Sequence, residues 1–426
     1  MNLRLKLQAS LITRILLIGI LLFAPCLSQA EEFTTYRLDL DMIEVPFEYY
    51  QHQILIKAKI NDTADLTFML DTGATSIVLH HGLKLNLEKT GTTEFREAEG
   101  TNKADTVNLT EVSFGNSEGQ AHVGNLPALV TNLGSLSRAL GRKIDGIMGI
   151  AAIAGYVVEF DYAKRVARFY PRRKKNISNN KPDNKKTFLF TLTPMNLTSS
   201  ISVVSIKGRL HESYDYDFLF DTGFGGHVTI ANAPATESGI LTDKTPRVEG
   251  GAYSLSRKFN TAKIRAPYLK IGEIDYAGRA VQVDFRNGGE QGLFGIVGNR
   301  FLQSYRVTLD YVRKKLWLER NDDPEDFDEI ERPSFGIALR MSASSYRVDK
   351  VTAKSPAHVA GIRPGDTLVA INGKPLAQLT REEIFTAIHA PTAEMTLTIA
   401  PGVDPNLGVQ FKEMTVRMKP GVPLDW

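Results

Sequence analysis

The chain has 426 residues, 42% apolar and 23% charged, so it is globular material with ample core and room for several domains. The formal charge of +3 comes from Arg4, Lys6 and Arg14, which stand without an acid in the first 30 residues; beyond them the balance is 3 − 3 = 0. A neutral chain lacks the global field of a nucleic-acid binder, and its eight histidines form no H-E-x-x-H metal pattern.

Residues 1–30 read as a secretory signal peptide. A basic start precedes the apolar run Ile15 to Ala24, too short to span a bilayer comfortably, and Ser28-Gln-Ala30 presents small residues where a signal peptidase cuts. The other reading is an uncleaved membrane anchor built on Leu11–Phe23. Cys26 lies inside this segment, so the exported chain would hold no disulfide.

Residues 31–171 form the first predicted unit. Ile54 to Ile60 alternates as a strand and Asn61-Asp-Thr turns the chain. Phe68-Met-Leu-Asp71-Thr72-Gly73-Ala74-Thr75-Ser76-Ile77-Val78-Leu79 then runs a strand into an aspartate and out into a second strand. Residues 90–135 carry short β runs and no helical period; Ile144–Ile150 is apolar and punctuated by glycine, and Val157–Tyr170 reads as a hairpin. Residues 172–186 hold seven basic residues and one acid, the composition of a solvated linker; a nucleic-acid arm is the rarer reading.

Residues 187–320 repeat the same order of elements. Phe218-Leu-Phe-Asp221-Thr222-Gly223 answers the first Asp-Thr-Gly at an offset of 150. Gly146-Ile-Met-Gly149 is answered by Gly295-Ile-Val-Gly298, and Val158-Glu-Phe-Asp161-Tyr by Val307-Thr-Leu-Asp310-Tyr, both at 149; Glu99-Gly100 is answered by Glu249-Gly250. Self-similarity of this period means one structural unit used twice. One Asp-Thr-Gly alone is ordinary turn chemistry. Two, each after three apolar residues and each with matched downstream strands, bring one carboxylate per lobe to a shared place.

The charge reverses over 319–332, where eight acids face Arg320 and Arg332; residues 321–332 are predicted as a second, acidic linker. Residues 333–419 then read as strands Phe335–Leu339 and Arg347–Thr352, a Gly-rich turn region, a helix opened by the capping box Thr380-Arg-Glu-Glu383, and two closing strands. Residues 420–426 are a tail.

Two carboxylates about 3 Å apart cannot both ionise at modest cost, so they hold one proton between them. The ionised member can take a proton from water while the other donates to a carbonyl, which is general acid–base hydrolysis of an amide. Thr72 and Thr222 are placed to cross-bond the loops, and Gly73 and Gly223 to bring N–H groups to the carboxylates. These motifs resemble the aspartic proteases over about residues 45–320, in the two-lobed, pepsin-like manner. The resemblance implies a mostly β protein of two similar pepsin- or retropepsin-like barrel lobes about a pseudo-twofold axis, with Asp71 and Asp221 catalytic and Gly149 and Gly298 on the strands behind them. The chain departs from the pattern in three places. Ala74 and Phe224 stand where pepsin-like enzymes usually have Ser or Thr; the candidate flap at residues 93–108, with Gly100, has no Tyr, whereas Gly250 and Tyr253 occupy the comparable place in the second lobe; and Gly225-Gly226 is looser than usual.

Ser355-Pro-Ala-His-Val-Ala-Gly-Ile-Arg-Pro-Gly365-Asp-Thr-Leu resembles the core of a PDZ domain. It implies an exposed groove in which Phe335, Gly336, Ile337, Leu339, Ile384 and Ile388 hold an extended peptide tail. The sequence reading is therefore an aspartic endopeptidase exported to the periplasm or beyond the cell, of bacterial-envelope type, monomeric, acting on peptides or proteins with no cofactor, no metal and no nucleic acid, and touching a membrane only through an uncleaved signal segment. The other reading is an envelope peptide-binding or scaffolding protein that kept the fold without catalysis.

Overall fold

The computed structural model describes residues 34–61, 63, 65–97, 100–172, 187–195, 203–211, 214–253, 258–286, 293–321, 334–341, 345–389, 394–402 and 413–420. The expected signal peptide, all but one residue of each linker and all but one of the C-terminal tail lie outside them. Contacts divide the chain into two compact units. One runs up to Asp243 and takes in Gly251–Thr261 and Ala266–Glu325; the other comprises Lys244–Gly250, Ala262–Arg265 and the chain from Asp326.

The first unit is β throughout, with short helices at strand ends. Its two lobes use one topology. In the first, Leu66–Leu70 runs parallel to Gly146–Met148, which pairs antiparallel with Ile77–His80, itself parallel to Gln120–Thr131. In the second, Tyr214–Phe220 runs parallel to Leu293–Val297, which pairs antiparallel with Val228–Ala231, itself parallel to Ala280–Asp284. Parallel pairing buries both faces of a strand, so alternation gives way to continuous apolar runs. Phe68, Met69 and Leu70 are buried in a row, as are Phe218, Leu219 and Phe220.

The lobes join through six antiparallel strands ordered Thr187–Thr191, Lys315–Arg320, Tyr305–Asp310, Tyr156–Asp161, Val166–Pro171 and Ile43–Tyr50. The register at the centre shows the symmetry. Val157 faces Asp310, Asp161 faces Arg306, and Glu159 faces Thr308. Under the 149-residue repeat the first two pairs exchange and the third maps onto itself, so a twofold axis passes between Glu159 and Thr308. The same repeat carries the hairpin turns: Lys164 N–H donates to Asp161 Oδ1 as Arg313 N–H donates to Asp310 Oδ1, and Arg165 and Lys314 both take positive φ.

The C-terminal part of the second unit is a five-strand sheet in the order Ile337–Met341, Tyr346–Val351, Thr367–Ile371, Met395–Ala400, Met414–Met418, with Lys374–Pro375 as a side pairing. Helix Arg381–His389 starts as the capping box requires: Thr380 Oγ1 accepts from Glu383 N–H at 3.1 Å, and the Glu383 carboxylate accepts from Thr380 N–H at 2.6 Å. Phe335, Ile384 and Ile388 are 0 to 1% exposed and Ile337 is 7% exposed, packed with Val348, Ile362, Leu368 and Leu397. This corrects the expectation that these four side chains line an open groove. The amphipathic face of a nine-residue helix is used up in covering the sheet, and the apolar residues that made the groove legible are its core. Leu339 stays partly buried against the same core, and Gly336 turns the chain into the edge strand with φ 73°.

Candidate functional site

Each Asp-Thr-Gly loop leaves a central strand of its lobe at the same point. Asp71 N–H donates to Met148 O and Asp221 N–H to Val297 O, both at 3.0 Å, so the strand behind each loop places its aspartate. The loops are then tied down from beneath. Ile150 N–H donates to Ala74 O at 2.8 Å and Ala151 N–H to Thr75 O at 3.0 Å; Asn299 N–H donates to Phe224 O at 2.8 Å and Arg300 N–H to Gly226 O at 3.1 Å. This close approach explains Gly149 and Gly298. A Cβ on Gly149 would stand 2.6 Å from Ala74 O, and one on Gly298 2.6 Å from Gly226 O.

The two threonines exchange four hydrogen bonds across the lobes. Thr72 N–H donates to Thr222 Oγ1 and Thr222 N–H to Thr72 Oγ1, each at 3.0 Å. The hydroxyls donate onward, Thr72 to Phe220 O at 2.9 Å and Thr222 to Leu70 O at 3.0 Å. A hydroxyl can give and take at once, which is why both positions are threonine and neither is valine. Both residues are fully buried.

This exchange brings Asp71 and Asp221, both 0% exposed, within hydrogen-bonding reach of each other. Asp71 Oδ1 accepts from Gly73 N–H at 2.8 Å and Ala74 N–H at 3.1 Å; Asp221 Oδ1 accepts from Gly223 N–H at 2.7 Å. Each glycine also lies against the other lobe's carboxyl. A Cβ on Gly73 would meet Asp221 Cγ at 2.7 Å, and one on Gly223 would collide with the Asp71 carboxyl. Oδ2 of each aspartate has no hydrogen-bond partner in the protein. Burial, then the charge of Asp221, hold Asp71 well above the usual carboxylate range; burial raises Asp221 as well, opposed by its hydrogen bonds to Asp71, Gly223 and Phe224. The two titrate as one system, with a proton shared between them.

The first-lobe hairpin joins Lys89–Glu97 to Gly100–Gly115, with Glu97 opposite Gly100; residues 98–99 at its tip lie outside the described residues. Its inner face is core: Phe95 and Ala104 pack with Met69, Ala74 and Val78. Gly250 and Tyr253 fall on strand Arg247–Tyr253, the Tyr253 side chain lying outside the description. Gly115-Asn116-Ser117-Glu118-Gly119 spells the G-x-S-x-G of serine hydrolases, but it is a hairpin turn in which Asn116 Oδ1 accepts from Glu118 N–H, not the strand-to-helix elbow that chemistry needs. The His80 and His81 rings lie 4.7 Å apart, tilted by 60°, and His80 Nδ1 accepts from Leu133 N–H. No metal-holding group of three His, Cys, Asp or Glu occurs among the described residues. Sequence reasoning missed Gln53, Asn299 and Tyr162, which meet at the second loop. Asn299 and Gln53 left one trace each, a polar residue where the repeat has Ile150 and Val203.

Residues 56–152 match the family model for aspartyl proteases and residues 326–400 that for PDZ domains. The first match contains Asp71, Thr72, Gly73 and Gly149; Asp221 lies beyond it. Among solved structures, the chain is similar to basic 7S globulin from soybean, at 8% identity over 67% of this chain and 95% of that one, TM-score 0.41. It is also similar to an aspartic proteinase from Irpex lacteus, at 13% identity over 67% of this chain and 99% of that one, TM-score 0.39. No curated protein matches the sequence.

Two outcomes follow from this geometry. Thr72→Val leaves the Thr222 N–H and the Phe220 carbonyl unpaired in a buried place, at about 1–3 kcal/mol for each; urea unfolding should show a loss of that size, and Thr72→Ser should recover most of it. Because both dyad carboxyls have raised folded pKa values, the stability they contribute is present below the unfolded value near 3.8 and is lost as pH rises through the folded values. Asp71→Asn should therefore raise Tm at pH 7 by roughly 2–4 °C for each kcal/mol relieved, and the gain should vanish toward pH 4 in a thermal-shift series.

Proposed function

Given an aspartic-type peptidase joined to a PDZ domain, we propose that this chain is an exported endopeptidase that cleaves peptide bonds with a water activated by Asp71 and Asp221. One observation carries the reading. Two buried carboxyls from symmetry-related loops meet with one unpaired oxygen each, held by hydrogen bonds that cross between the lobes. That geometry supports a dyad made within one chain.

The ionised carboxylate takes a proton from the water, whose oxygen attacks the substrate carbonyl carbon. The protonated carboxyl gives its proton to the carbonyl oxygen, so the tetrahedral adduct forms as a neutral diol. Return of a proton to the amide nitrogen breaks the C–N bond and releases the amine and the acid. No covalent enzyme intermediate is needed. Export is supported by the signal-like first 30 residues, and the PDZ domain fits a role in bringing peptide tails to the enzyme.

Ala74 and Phe224 supply no hydroxyl to stabilise the charged form, and burial raises both carboxyls. Activity should therefore peak between mildly acidic and near-neutral pH and be blocked by a pepsin-type transition-state inhibitor; a maximum near pH 2 that is gone by pH 5 would refute the assignment. Asp71→Asn and Asp221→Asn should each lower kcat by about 10³-fold or more, and mixing the two should restore nothing. Recovery on mixing would mean that lobes pair between chains.

Removing residues 333–426 should leave hydrolysis of short peptides nearly intact and weaken cleavage of proteins with extended tails. Equal loss on both would assign the PDZ domain a structural role.

A further inference from the structure

The second aspartate's loop is gripped by side chains that the first loop lacks. Strands Ile43–Tyr50 and Gln53–Ile60 are joined by Gln51 and His52 alone, with φ of 46° and 60°, the tight turn whose twist suits a hairpin. The turn delivers Gln53, 8% exposed, to the second lobe. With its amide nitrogen turned toward the carbonyl, Gln53 donates to Gly223 O at 3.2 Å and accepts from Gly225 N–H at 3.1 Å. Asn299, fully buried, donates through Nδ2 to His52 O at 2.9 Å and to Thr222 O. Its Oδ1 accepts from the Tyr162 hydroxyl at 2.7 Å, and its backbone carbonyl from the Tyr49 hydroxyl at 3.2 Å.

These contacts fall on particular peptide units. The carbonyl of Thr222 shares a plane with Gly223 N–H, which donates to Asp221 Oδ1. The carbonyl of Gly223 shares a plane with Phe224 N–H, which donates to the Asp221 backbone carbonyl at 3.4 Å and so closes the turn that carries the aspartate. Asn299 thus holds the far end of one peptide that faces Asp221, and Gln53 the far end of the next. At the repeat offsets their counterparts are Ile150 and Val203, both buried and apolar, which cannot do the same for Asp71.

Resting on the dyad reading above, we propose that Gln53 and Asn299 are positioning residues for Asp221: Asn299 fixes the peptide whose N–H bonds the carboxylate and Gln53 fixes the next peptide of the same turn, so the first lobe sets the aim of the second lobe's carboxylate. The titratable and charged groups around these contacts are Asp71 across the dyad, His52, Tyr49 and Tyr162 beside Asn299, and Arg165 and Arg300 at the margin.

The test uses the full chain with Asn299→Leu and Gln53→Met, apolar changes of similar volume, and Val203→Ala as a core control in the counterpart position. Misdirected donors should lower kcat by about 10- to 100-fold with KM within about twofold. They should also move the acid limb of the kcat/KM profile to higher pH by at least about half a unit, because fewer donors reach the charged form. Val203→Ala should lower Tm without moving that limb. An unmoved limb in folded Gln53→Met and Asn299→Leu, or an equal movement in Val203→Ala, overturns the proposal. Titration of the carboxyl carbons in protein labelled at aspartate reads the same loop without turnover. If the wild type cleaves nothing, the peptidase reading fails, while an upward shift of the dyad's first titration in Gln53→Met still supports the grip and no shift overturns it.

Discussion

Thr72 and Thr222 each give a hydroxyl proton to the other lobe and take an amide hydrogen back, and the spacing of the two carboxyls follows from that exchange. Two like-charged groups buried side by side would push their loops apart or admit water. The cross-bonds fix the loop backbones against that repulsion, and the shared proton removes most of it. What surrounds the site serves this arrangement. The parallel strand behind each loop bonds the aspartate's own N–H, and the glycine that ends that strand lets the next turn bond the loop carbonyls. The six-strand junction, with its axis between Glu159 and Thr308, sets the two loops face to face.

Symmetry accounts for the placement of the dyad, and its breaking accounts for the difference between the two members. Asp221 leaves a loop bonded by Asn299 and Gln53, whose counterparts at the repeat positions are the apolar Ile150 and Val203. The loose Gly225-Gly226 of the second motif has a reason in this contact, since a Cβ at Gly225 would stand 2.8 Å from the Gln53 amide. The missing flap tyrosine has a different answer: Phe95 on the first-lobe hairpin packs in the lobe core with Ala74, so the base of that hairpin serves to pack the Asp71 loop.

In the C-terminal domain, the apolar residues expected to line a peptide groove are those that hold the domain together. Phe335, Ile384 and Ile388 recur at helix and strand spacing because they are core, and periodicity alone cannot distinguish a side chain that fills a core from one that lines a groove above it.

The sequence by itself determined that one β unit occurs twice, that each copy carries an Asp-Thr-Gly between apolar strands, and that a separate domain follows. Those features are written in local pattern and in long-period repetition, and both survive without coordinates. It also marked Thr72, Thr222, Gly73, Gly223, Gly149 and Gly298, because close backbone approach and two-way hydrogen bonding restrict the residue types that fit. Only the tertiary structure decided which groups hold the loops from outside. Gln53 reaches Gly223 from 170 positions away in the chain, and Asn299 binds His52 across 247. A polar residue that finds its partner in the opposite lobe looks, in sequence, like any other polar residue at a strand end. The register of the six-strand junction brings those partners together, and no local preference encodes it.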